Sequence, residues 1–169
     1  MIHLVTGGAR SGKSRFALDA AEALEGPLCF VATAESRDED MASRVAHHRA
    51  ERGPRWVTVE APLELEAAVA ALPPASGVVV DCLTLWCANL LLGGLTEAAI
   101  TARGEALGAA LGALDRPVWV VTNEVGLGIV PDNALARRYR DALGRLNQTV
   151  ARASGRVTFL VAGIPMAVR

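Results

Sequence analysis

Residues 7–14 read GGARSGKS and match the pattern G-x-x-x-x-G-K-[ST] in full. Glycines let successive backbone N–H groups curl toward one point, and a helix opening there adds its positive end. Such a loop cradles phosphate oxygens. Gly7, Gly8, Ala9, Arg10, Ser11 and Gly12 supply the cradle. Lys13 is placed to reach the β- and γ-phosphates, and Ser14 to hold Mg2+ through its hydroxyl. A second candidate metal ligand is Asp81, which ends the apolar run GVVVD at residues 77–81. Nucleotide-binding sheets put a carboxylate at such a strand end, although an ordinary strand-end aspartate looks the same in sequence.

The neighbours of these residues narrow the chemistry. Motor-type ATPases follow the strand-end Asp with a Glu that polarises water, and here Cys82 follows. Ras-like GTPases read their base with N-K-x-D, whereas TNEVG (122–126) lacks both the Lys and the Asp. Hydrolysis is therefore not the expected task, and group transfer to a small acceptor fits better.

The segment RVAHHRAER (44–52) carries two of the three histidines. Neighbours on a helix point about 100° apart, so the pair cannot share a face. Met41, Val45 and His48 fall on one side, while Asp40, Arg44, His47 and Glu51 form a polar stripe suited to solvated ion pairs. An inward His48 beside a phosphate site can act as a nucleophile, giving a phosphoramidate that splits one transfer into two. It can also be a half-buried structural histidine. Arg49, Arg52 and Arg55 nearby can neutralise a triphosphate.

These residues need a frame. Short β-branched runs at 2–6, 28–33, 56–60, 77–81, 117–122 and 156–163 predict strands. Helical stretches are expected at 13–25, 38–52, 62–72, 83–92, 96–114 and 133–154. Apolar strands alternating with helices indicate a parallel sheet covered on both faces. In such sheets, ligands sit beyond the carboxyl ends of the strands. The polar residues collect there: the glycine loop, Thr33 onward, Glu60, Asp81, and Thr122 to Pro131. The turns LPPASG (72–77) and GPRW (53–56) are not domain boundaries, so residues 1–169 are expected to form one domain.

Composition limits the partners. The chain has 169 residues, 51% hydrophobic and 21% charged, with net charge −1. That balance fits a folded globular chain and gives no field for a nucleic acid or an anionic membrane. The most apolar stretch, CLTLWCANLLLGGL, is too short to span a bilayer and contains Asn89. Cys29, Cys82 and Cys87 form no CxxC pair and are expected as buried free thiols in a cytoplasmic protein. His3 is expected to be structural.

The chain resembles the bifunctional adenosylcobinamide kinase / adenosylcobinamide-phosphate guanylyltransferases over essentially its whole length. The likeness rests on VTGGARSGKSRFA (5–17), VATA (31–34), DEDMASRVAHHRAER (38–52), W-x-T-x-E (56–60), DCLTLWCANLLL (81–92), VTNEVGLGIVPDNALARRYRDALGRLNQ (121–148) and VAGIP (161–165). It implies phosphorylation of the adenosylcobinamide aminopropanol hydroxyl by GTP or ATP, then GMP transfer from GTP through a histidine adduct. The second histidine of the family's pair maps to His48. Nucleotide contacts map to Gly7–Ser14, to Glu35, Ser36 and Arg37, to Arg52, Gly53, Pro54 and Arg55, and to Glu60 and Asp81. The Asp81 position can be Glu in the family. The resemblance implies a P-loop NTPase-like α/β three-layer sandwich, mainly parallel with one antiparallel edge strand, and a homotrimer with active sites between subunits.

Two features stay open. Asn123 and Glu124 can bind the corrinoid side chain or a metal, or only shape a loop. Arg137, Arg138 and Arg140 lie on one long helix, where such charges more often form a solvated or inter-subunit face. The alternatives are a monofunctional P-loop kinase, with γ-phosphoryl transfer and no adduct, and a nucleotide-dependent switch protein, which the missing N-K-x-D disfavours.

Overall fold

The computed structural model describes residues 1–34 and 53–169. In chain order the elements are β1 (Ile2–Gly7), α1 (Lys13–Glu22), β2 (Leu28–Ala32), β3 (Trp56–Glu60), α2 (Leu65–Ala70) and β4 (Gly77–Asp81). They continue with α3 (Leu83–Leu92), α4 (Glu97–Gly112), β5 (Val118–Val121), α5 (Ala134–Ala153), β6 (Arg156–Val161) and β7 (Ile164–Ala167). The helix expected over 38–52 lies outside the described residues.

The seven strands form one sheet in the order β3-β2-β4-β5-β1-β6-β7. Every neighbouring pair is parallel except β6–β7. The α/β reading with one antiparallel edge strand therefore holds. The strand expected over 156–163 ends at Val161, and a turn at Ala162 and Gly163, both at positive φ, leads into a further strand, β7, over residues where none was expected. All four β7 residues are exposed, so no buried alternation marks them in the sequence. Pro165 is tolerated because β7 is an edge. The helix expected over 62–72 shrinks to Leu65–Ala70, bracketed by Pro62 and by Pro73 and Pro74.

Both faces of the sheet are packed, because the central strands are apolar throughout and successive side chains alternate. Val78, Val80, Val118 and Val120 face α2 to α5 and join Leu65, Trp86, Leu107, Leu143 and Leu146. Val79, Trp119 and Val121 face α1 and meet Ala17 and Ala21. Side chains start the two long helices: Thr96 Oγ1 accepts from Ala99 N–H at 3.2 Å, and Asn133 Oδ1 from Ala136 N–H at 3.0 Å. The parallel strands all end on one edge, where the glycine loop leaves β1.

Candidate active site

The loop between β1 and α1 is shaped by its glycines. Gly7 has φ +149°, and a Cβ there would lie 2.5 Å from the Leu160 carbonyl oxygen of the neighbouring strand. Gly12, at φ +93°, turns the chain into α1, whose first bond runs from Phe16 N–H to the Gly12 carbonyl at 2.9 Å. Arg10 also holds positive φ, at 54°. Lys13 is buried and donates to the Gly8 carbonyl at 2.6 Å and to Ser11 Oγ at 3.4 Å. Burial pushes its ammonium down from the usual lysine range, while Asp81 and Cys82 act the other way. A buried cation beside a curl of backbone donors favours a polyanion.

Asp81 ends β4, and β5 lies between β4 and β1. Two interstrand spacings, about 10 Å, thus separate the Asp81 and Gly7 strand ends. Buried Thr33 locks the chain that follows Asp81. Its hydroxyl donates to the Cys82 carbonyl at 2.6 Å and accepts from Cys82 N–H at 2.8 Å. The side-chain amide of Asn89 donates to the carbonyls of Thr33 and Pro62 at 2.9 and 3.1 Å. Burial, reinforced by Asp81, pushes the Cys82 thiol up to about 11, and burial takes Cys29 to about 11 and Cys87 to about 12. All three thiols are free and stay protonated at neutral pH, as expected of inert cysteines.

Two further segments flank the glycine loop. Glu124 N–H donates to the Gly7 carbonyl at 3.0 Å, and Gly163 N–H donates to the Ser11 carbonyl at 3.1 Å. The first segment is braced from α3 and α5. Thr84 Oγ1 accepts from Asn123 N–H at 2.9 Å, Asn147 Nδ2 donates to the Asn123 carbonyl at 3.0 Å, and Thr122 Oγ1 donates to Asn147 Oδ1 at 2.7 Å. Sequence reasoning placed Thr33 at this edge but did not single out Thr84, Asn89, Asn147 or Gly163 for it. A lone Asn inside an apolar helix is the available signal, because a buried amide must find partners.

Other expected residues sit elsewhere. Glu60 ends β3 at the same edge but four interstrand spacings from β1, about 19 Å, out of reach of a phosphate held by Lys13. Gly53, Pro54 and Arg55 precede β3, whose first residue pairs with the first residue of β2, so they lie at the opposite edge. The Arg55 guanidinium donates to the carbonyls of Leu24 and Glu22 at 2.7 and 3.0 Å, closing the end of α1. Arg137 donates to the carbonyls of Pro131 and Asp132, and Arg140 pairs with Asp141. Glu35, Ser36, Arg37, His47, His48 and Arg52 lie outside the described residues.

Among the described residues no three His, Cys, Asp or Glu gather as a metal cage. Mg2+ needs none, because it keeps waters and takes phosphate oxygens with one or two protein ligands. A hydroxyl at Ser14 and a carboxylate at Asp81 are hard oxygen donors that suit it.

Residues 3–168 match the model of the family described as cobinamide kinase / cobinamide phosphate guanyltransferase. The chain belongs to that family. It is 45% identical over 167 residues to the bifunctional adenosylcobalamin biosynthesis protein CobP of Pseudomonas aeruginosa, covering 98% of this chain and 96% of that protein. It is 40% and 41% identical to the proteins named bifunctional adenosylcobalamin biosynthesis protein CobU of Salmonella typhimurium and Escherichia coli, with full coverage on both sides. In this member of the cobinamide kinase / cobinamide phosphate guanyltransferase family, the glycine loop closes around buried Lys13 at the carboxyl edge of the sheet. No helix among the described residues is long and apolar enough to cross a membrane.

Proposed function

We propose that residues 1–169 act as one catalytic domain that phosphorylates adenosylcobinamide and then transfers GMP to the product, as a step of cobalamin biosynthesis. The observation that carries this reading is the complete phosphate loop, with Lys13 buried at the carboxyl edge of the sheet, in a chain matched to the family almost from end to end. In the first reaction the acceptor hydroxyl oxygen attacks the γ-phosphorus of GTP or ATP. The bond from that phosphorus to the β–γ bridging oxygen breaks, and the nucleoside diphosphate leaves. Lys13 and the loop amides hold the charge that accumulates on the phosphates. Bound Mg2+ neutralises further charge, and Ser14 and Asp81 would hold it.

In the second reaction an imidazole nitrogen of His48 attacks the α-phosphorus of GTP and pyrophosphate departs. A phosphate oxygen of adenosylcobinamide phosphate then attacks the same phosphorus, freeing His48 and giving adenosylcobinamide-GDP. Glu35, Ser36, Arg37 and Arg52 belong to the nucleotide site in this reading, and Glu60, about 19 Å along the edge from the glycine loop, would meet a nucleotide only away from a phosphate held by Lys13. Arg55, with Gly53 and Pro54, lies at the edge opposite this chain's own loop, so it serves a nucleotide held by another copy in a homotrimer. The enzyme works in the cytoplasm.

The test is product analysis after incubating the full chain with GTP, Mg2+ and adenosylcobinamide. The expected sequence is adenosylcobinamide phosphate, then adenosylcobinamide-GDP with equimolar pyrophosphate. Accumulation of the phosphate alone would leave a monofunctional kinase. Sedimentation reads the trimer directly.

A further inference from the structure

The loop after β5 is held firmly for a segment so open to water. It begins on the phosphate loop through the Glu124 N–H to Gly7 carbonyl bond, and Glu124 Oε1 accepts from Gly126 N–H at 2.5 Å to close a turn. At its far end Arg137 Nη1 donates to the carbonyls of Pro131 and Asp132 at 2.8 and 2.6 Å. Between these anchors stand Leu127, Ile129 and Val130, which are 82%, 97% and 55% exposed. Aliphatic side chains of this size gain by leaving water, so polar anchors that hold three of them outward need a cause. Across the phosphate loop the β6–β7 turn docks by Gly163 N–H on the Ser11 carbonyl, and Val161 and Ile164 beside it are 46% and 67% exposed. Both described segments hydrogen-bonded to the phosphate loop thus carry exposed aliphatic side chains.

We propose that Leu127, Ile129 and Val130 form the apolar seat of the corrinoid macrocycle, with Val161 and Ile164 available across the phosphate loop. The inference rests on the activity proposed above. The acceptor in that reaction is a large ring with apolar faces and an amide rim, and its hydroxyl must reach the phosphate held by Lys13. Its body must therefore lie against whatever adjoins the glycine loop. Exposed apolar patches of a few hundred Å² mark ligand or partner sites. Three side chains match a small-molecule face better than the roughly 800 Å² per partner of a stable protein interface.

Equilibrium dialysis of adenosylcobinamide against the full chain in the presence of GTP tests this, comparing the unsubstituted protein with Leu127→Ser/Ile129→Ser. Both positions are exposed, so the melting temperature is expected to stay put. The account expects corrinoid binding about tenfold weaker, with the KM for GTP and the sedimented mass unchanged. Equal corrinoid affinity in the two proteins overturns the seat. Loss of the native assembly on substitution also overturns it, by assigning the patch to a contact between copies. Corrinoid binding without any phosphoryl transfer in the unsubstituted protein would refute the proposed activity while leaving the seat in place.

Discussion

Among the described residues, the two faces of the sheet differ in thickness and in task. On one face α2 to α5 bury a large apolar cluster around Trp86, Leu107, Leu143 and Leu146. On the other, α1 alone among the described helices covers a smaller set around Ala17, Ala21, Val79 and Trp119. The glycine loop feeds α1, so the helix on the thin face is the one that follows the proposed cradle. The thick face supplies the rigidity against which the loop is held, because apolar burial scales with the area removed from water. Its link to chemistry runs through a few polar side chains. Asn89 of α3 and Asn147 of α5 reach past the core to the backbone at the carboxyl edge.

Substitutions can test that division of labour. Trp86 is fully buried and its indole N–H donates to the Leu63 carbonyl at 2.8 Å. Trp86→Ala should cost about 3–5 kcal/mol in denaturant unfolding, while the protein still folded keeps its KM for GTP. Lys13→Ala should do the reverse. It should lower phosphoryl transfer about 10²–10³-fold, measured as initial rates, without a comparable fall in stability, since the residue removed is a desolvated cation. Asn147→Ala should breach the division. Losing its bonds to Thr122 and Asn123 should cost about 1–3 kcal/mol and also reduce turnover, because the Asn123–Glu124 backbone rests on the phosphate loop.

The smallest effect expected is a pH dependence on the thin face. His3 packs edge-on to Phe16 and its Nε2 lies 2.8 Å from Thr158 Oγ1. Burial, and then the charge of Arg156, pushes its pKa below the ordinary 6.5. The unfolded chain therefore binds this proton more readily than the folded one. Stability should fall as pH drops from about 6.5 toward the lowered folded value. Unfolding of His3→Gln between pH 7 and pH 5 should show a flatter profile.

The part of the site legible in the sequence is the part written in consecutive residues. Gly7–Ser14 specify a loop whatever surrounds them, and the GVVVD run brings Asp81 to the same edge because parallel strands end together. What depends on distant partners was not legible. The turn of Gly163 against Ser11 requires β7, whose exposed residues carry no periodic signal. Arg55 looks like a phosphate ligand by charge and proximity to His48 in sequence. Its place beside the carbonyl end of α1 follows only from the pairing of β3 with β2. Asn89 stood out as a polar residue in an apolar stretch, Asn147 did not, and only the fold shows which backbone each holds.

The central claim is that the cradle built by Gly7–Ser14 feeds two transfers from GTP, one through its γ-phosphorus and one through its α-phosphorus. Incubation with α- or γ-labelled GTP, with and without adenosylcobinamide, separates them. The account predicts α-label on the protein without the corrinoid, lost in His48→Asn and kept in His47→Asn, and γ-label on the corrinoid when it is present. Transfer of γ-label with no α-label on the protein, or α-label retained in His48→Asn, would contradict it.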